Sequence, residues 1–191
     1  MVRLYTALLI ALAVALLSMP GIARADLIFA AQLSAAGENP PTASLALGTA
    51  TFILNSAATE IDFTISFGAN VGSPPLTSPL QAGHIHVGAL GTNGPVILPF
   101  PNLPMGATSG TFSGALTAAN LTGAIASFAD AVAALEAGNT YANLHTTNFP
   151  GGEIRGQIAA PVPELASLTL LGIGILGLFG YAQRCRMRVA A

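Results

Sequence analysis

The chain has 191 residues, of which only 7% are charged, with six arginines, no lysine, eight acids, three histidines and one cysteine. Seven of the eight acids and only Arg155 among the bases fall between residues 26 and 163, so this stretch is acidic. It offers no basic surface for nucleic acid or anionic lipid, and with Cys185 outside it, no disulfide.

In chain order, Met1–Ala25 comes first: one early arginine, an apolar run from Leu4 to Leu17, the helix breaker Pro20–Gly21, and Ala23-Arg24-Ala25. A charged start, a short apolar centre and a small-x-small site predict a removable signal helix cleaved between Ala25 and Asp26. Residues 26–34 read as a strand, and "GENPPTASLALG" as a turn whose paired prolines cannot donate to a ladder. "TATFILN" (49–55) and "TEIDFTISF" (59–67) alternate cleanly between apolar and polar, with a short connection that predicts a hairpin.

Beyond the Gly/Pro/Ser-rich loop at 68–79 lies "QAGHIHVGALGTNGP", which holds His84 and His86. "NGPVILPF" (93–100) and "SGTFSGAL" (109–116) supply two more strands, the first after an Asn93-Gly94 turn. One short helix is predicted near 127–138, with Ser127 as N-cap, Phe128, Val132 and Leu135 on one face, and Gly138 as the stop. "TYANLHTT" (140–147) and "GEIRGQIAA" (152–160) then close the domain as two strands around the "NFPGG" turn. Seven or eight short strands with one helix predict a mainly β fold, an antiparallel Greek-key β-sandwich.

The chain ends with Leu165–Ala182, about eighteen residues without a charge, followed by Arg184, Arg186 and Arg188. At 1.5 Å per residue the run spans roughly 27 Å, enough for a transmembrane helix. The arginines place its far end in the cytoplasm and the domain outside the membrane. The layout of Val162-Pro163-Glu164, apolar span and arginine cluster resembles the PEP-CTERM sorting signal of Gram-negative bacteria, although Leu165 stands where the motif has its second proline. The signal segment implies signal peptidase as a partner and export across the inner membrane, with anchorage there by the span. The resemblance implies an exosortase-like membrane protease as a second partner, and a cell-envelope or extracellular location once the tail is processed.

Strand alternation gives the polar residues a common setting. Ile85 and Val87 share one strand face and leave His84 and His86 on the other. Ala142 and Leu144 likewise leave Tyr141, Asn143 and His145 opposite, and Ile154 and Ile158 leave Glu153, Arg155 and Gln157 opposite. If the three segments are sheet neighbours, all these polar residues form one patch.

"GENPPTASLALGTATFIL", "AGHIHVGALGTNGPV" and "YANLHTTNFPGGEIRGQI" resemble the three characteristic stretches of the CHRD domain, across residues 27 to 160. Glu38, Pro40, Pro41, His84, His86, Asn93 and Gly94 fit the first two, and Asn143, His145, Thr146, Pro150, Gly151, Gly152, Glu153, Arg155, Gly156 and Gln157 fit the third. The resemblance implies an exported domain and no particular reaction. A weaker resemblance, through the His-x-His strand and the late glycine-rich turn, is to the sandwich of copper/zinc superoxide dismutase, and implies a shared topology. Three histidines are too few for that enzyme's two-metal site.

Three roles for the patch stay open. The polar side chains can tie the "NGP" and "PGG" loops to the sheet, as a structural device in a non-catalytic envelope or matrix module. His84, His86 and His145 can hold one divalent metal ion, with a metal-dependent activity as the enzymatic alternative. Arg155 with its neighbours can recognise acidic extracellular polysaccharide. The chain has no nucleophile motif and no phosphate-cradling glycine loop, and Glu38 and Glu153 read as surface or ladder residues, since nothing in the sequence sets their separation as a carboxylate pair.

Overall fold

The computed structural model describes residues 25–159. The signal segment before Ala25, the sorting motif Val162-Pro163-Glu164, the apolar span and the arginine cluster lie outside the described residues. Among the described residues no helix is long and apolar enough to cross a membrane.

Eight strands form in chain order: β1 (Leu27–Ser34), β2 (Leu47–Leu54), β3 (Ile61–Phe67), β4 (Leu80–Val87), β5 (Val96–Pro99), β6 (Gly110–Leu116), β7 (Thr140–Thr146) and β8 (Ile154–Gln157). Among the described residues the one α-helix, α1 (Phe128–Glu136), lies between β6 and β7. Ser127 caps it, its hydroxyl accepting from the Asp130 amide, and Phe128, Ala131, Val132 and Leu135 bury the inner face.

The strands make one sheet in the order β5-β4-β7-β8-β1-β2-β3-β6, every pair antiparallel. The mainly β, antiparallel expectation holds, with a refinement. The two layers are continuous, joined through a thin seam between β8 and β1 at Ser34–Arg155 and Ala30–Ala159. Opposite that seam, Thr122 after β6 donates to the carbonyls of Val96 and Ile97 on β5, so the sheet is nearly closed. The connections β3–β4, β5–β6 and β6–β7 each cross from one half of the strand order to the other, the Greek-key feature.

Alternation makes the core. In β2 and β3 every second residue is buried, putting Phe52, Leu54, Ile61, Phe63, Ile65 and Phe67 inside. Phe100, just past β5, reaches across to the other half, its ring 4.9 Å from Phe63 and 6.0 Å from Phe112. These aromatic contacts add to the area-based gain of burial and hold the two halves together.

One strand breaks the half-exposed pattern. All seven residues of β7 are buried, including Tyr141, Asn143 and His145 on the face turned away from Ala142 and Leu144. The loops after β1, after β4 and after β7 fold over this second face. Asn39 Nδ2 donates to the Gly91 carbonyl at 2.8 Å, Asn93 Nδ2 donates to the Asn39 carbonyl at 2.8 Å, and Thr42 Oγ1 donates to the Glu153 carbonyl at 2.9 Å. The polar face is therefore a loop-covered, largely buried chamber, with His84 and Gln157 half-buried.

Candidate metal centre

Strand register brings the histidines together. On β4 and β7, His84 stands opposite Asn143 and His86 opposite Tyr141, with His145 one step further along. The ring centroids are 4.9 Å apart for His84 and His145, 5.6 Å for His84 and His86, and 5.8 Å for His86 and His145. One ligand nitrogen from each ring lies within 4.8 Å of the other two.

Two of the rings are oriented by backbone. His86 Nδ1 sits 3.0 Å from the Gly94 carbonyl and His145 Nδ1 3.0 Å from the Pro150 carbonyl. A carbonyl only accepts, so each Nδ1 carries the proton and each Nε2 presents a lone pair. These bonds also tie the "NGP" and "PGG" turns to the sheet, so loop tethering and lone-pair orientation are one device. His86 Nε2, His145 Nε2 and His84 Nδ1 are buried and have no hydrogen-bond partner among the described residues. Unmet buried nitrogens are costly, and three around one point fit a shared cation better than any protein donor.

The environment keeps the rings neutral, as metal ligation needs. Burial, with help from His145 and His86, pushes His84 down to about 4. Burial lowers His86 and His145 as well, against the opposing bonds to Gly94 and Pro150. Glu38 moves the other way: burial pushes it up to about 7, opposed by Arg155 and by its hydrogen bond with Asn143.

These shifts set an acid sensitivity in the metal-free protein. The share of His84 is complete above 6.5 and is lost as pH falls toward 4, and His86 and His145, lowered as well, act in the same direction. Glu38 has the opposite slope, its share complete below 4.5 and lost as pH rises through 7. With three groups against one, the urea midpoint measured with chelator present should fall from pH 7 to pH 5, and more steeply in Glu38→Gln. A midpoint that rises on acidification would contradict this assignment.

The other expected site residues divide. Tyr141 stacks on His86 at 4.8 Å with rings 8° from parallel, and its hydroxyl accepts from the Gly94 amide at 3.1 Å. Arg155 lies with Cζ 4.4 Å from the Tyr141 ring centre, and donates to the carbonyls of Gly37 and Thr92 and to Asn93 Oδ1. At 4% exposure, that guanidinium shows a polysaccharide almost no surface. Gln157 Nε2 holds the loops through the Gly88 and Gly138 carbonyls.

Glu153 is not part of the chamber's bonding. It is fully buried, and its carboxylate accepts from Ser44 Oγ, the Thr77 amide and hydroxyl, and Thr146 Oγ1. Thr146 alternates with Leu144 and Ala142, so this clamp lies toward the core side of β7. The carboxylate beside Asn143 and Arg155 is Glu38 instead. Gly152, at φ 128°, makes room for it: a Cβ there would stand 2.6 Å from Glu38 Oε1 and 2.7 Å from Asn143 Oδ1. Glu38 sits in an aperiodic loop, and its fit to the first motif was the only signal for it in the sequence.

A nearly closed antiparallel sheet with a loop-covered, three-histidine chamber defines the class: a β-domain carrying one compact polar site. The CHRD domain family model matches residues 29–158, and the chain belongs to that family. No curated protein and no solved structure matches the chain. Family membership is consistent with a non-catalytic extracellular or structural module.

Proposed function

We propose that this protein is an exported envelope module whose CHRD domain holds one transition-metal ion through His84, His86 and His145. The observation that carries the reading is the convergence of three buried, unpartnered imidazole nitrogens, two of them aimed by carbonyl bonds at their Nδ1 atoms. Imidazole donors suit zinc, copper, nickel and iron, and a site without oxygen ligands is a poor one for calcium or magnesium. The binding is also folding energy, since ligand nitrogens cost stability until they are engaged.

Export is supported by the signal-like Met1–Ala25 segment, and envelope sorting by the Pro163–Glu164 motif, apolar span and arginine cluster. On this reading signal peptidase and an exosortase-like protease process the chain, and the domain acts outside the inner membrane. Tethering of its loops and binding of the ion are the module's work. Acidic matrix polysaccharide remains a surface partner only through groups other than the buried Arg155.

The test is metal analysis of the full chain purified in detergent after exposure to zinc or copper and removal of excess. One equivalent is expected, with affinity reduced about 100-fold or more in His86→Ala and in His145→Ala. Substoichiometric metal in the parent protein, or parent-like retention in both variants, would refute the assignment.

A further inference from the structure

We propose that this centre prefers copper in its monovalent state over any divalent ion; the inference rests on the metal-binding reading above. Two features of the chamber carry it. The first is the donor set: three imidazoles, with no carboxylate or thiolate in the cluster. Three neutral donors leave the full charge of the ion uncompensated. Zinc on three imidazoles needs a further ligand such as a water, whereas monovalent copper is content with three nitrogens.

The second feature is a fixed positive charge close by. Tyr141 belongs to β7, between β4 and β8, and its ring packs against both His86 of β4 and Arg155 of β8. His86 is 4.8 Å and the guanidinium carbon 4.4 Å from that ring. The hydrogen bonds of Arg155 go to Gly37, Thr92 and Asn93, all neutral acceptors. Of the nearby acids, Glu153 is engaged by Ser44, Thr77 and Thr146, and Glu38 faces the guanidinium as a partial counter-charge.

A positive charge one aromatic ring away from a ligand, in a partly buried setting and only partly offset by Glu38, changes the affinity for one further positive charge by about tenfold. Each step from monovalent to divalent ion meets that penalty. The dispersed acids of the outer surface are solvent-screened and do not cancel it. The site therefore adds a sorting of ions by charge to the preference of a three-nitrogen donor set for the monovalent ion.

The experiment uses the full chain in detergent at pH 8, without oxygen. Monovalent copper is titrated against a chromophoric chelator and zinc against a second one, and the midpoint potential of bound copper is recorded. Asn93→Asp puts a carboxylate against the guanidinium; Glu38→Gln removes the existing counter-charge. The expected result is tighter binding of monovalent copper than of zinc or divalent copper. Asn93→Asp should lower that preference about tenfold, a drop of about 59 mV in potential, and Glu38→Gln should raise it. One equivalent of zinc or divalent copper held more tightly than monovalent copper, or a preference unmoved by Glu38→Gln, overturns this inference while leaving the metal site intact. Failure to bind any of the three ions overturns the site itself.

Discussion

Glu153→Ala is expected to cost about 3–5 kcal/mol of folding stability, a large share of the 5–15 kcal/mol typical of a domain. The reason is what the substitution strands. Four donors converge on this carboxylate: the Ser44 hydroxyl at 2.7 Å, the Thr77 amide at 2.7 Å, the Thr77 hydroxyl at 3.0 Å and the Thr146 hydroxyl at 2.6 Å. They come from three separate segments, so one side chain fastens the loop after β1, the loop before β4 and the end of β7. A carboxylate with both oxygens satisfied is stable when buried; the donors left behind in the alanine variant are not. Glu153→Gln keeps the volume but turns one acceptor into a donor, and about half the loss is expected. Urea unfolding of the metal-free protein measures both, and a loss under about 1 kcal/mol in the alanine variant would show that the clamp is dispensable.

The second large effect is expected at Gly94. A Cβ on this residue would stand 1.6 Å from the Val87 carbonyl oxygen, so alanine cannot be placed without opening the turn after β4. Gly94 is also the residue whose carbonyl orients His86 and whose amide meets the Tyr141 hydroxyl. Opening the turn thus releases a metal ligand and its stacking partner together. Gly94→Ala should lower stability by about 2–4 kcal/mol and metal affinity by about 100-fold. Gly151→Ala is the control: nothing lies within 4 Å of a Cβ there, and both quantities should stay near the parent values. Parent-like metal affinity in Gly94→Ala would mean that His86 needs no orientation by this turn.

These two residues show where the sequence was informative. Alternation in Tyr141–His145 and in His84–Val87 was enough to put the histidines, Tyr141 and Asn143 on one face, because both stretches are regular strand and period two is all that matters there. The same rule placed Glu153 with Arg155, and the structure separates them. Regular β8 starts only at Ile154, and Gly152 at φ 128° redirects the chain just before it, so alternation does not extend back to Glu153. Glu38 lay beyond such reasoning altogether, in a loop with no period.

Burial of the site was hidden for a related reason. The stretch 37–48, the Asn93-Gly94 turn and the "NFPGG" turn read as connections, and nothing in a turn's composition says which strand face it covers. The cover is made by pairings far apart in sequence, such as Asn39 with Gly91 and Asn93. The continuity of the two layers was equally out of reach, since the β8–β1 seam rests on very few paired residues. The strands themselves, and helix α1 with its Ser127 cap, were legible to within a few residues because hydrophobic period and cap chemistry are local.

X-ray absorption spectroscopy of the metal-loaded chain tests the central claim most directly. Three imidazole nitrogens near 2.0 Å, one of them lost in His145→Ala, is the result that follows from a chamber built by β4 and β7. A shell of oxygen neighbours, or an imidazole count unchanged in that variant, would mean that the three histidines meet without holding an ion.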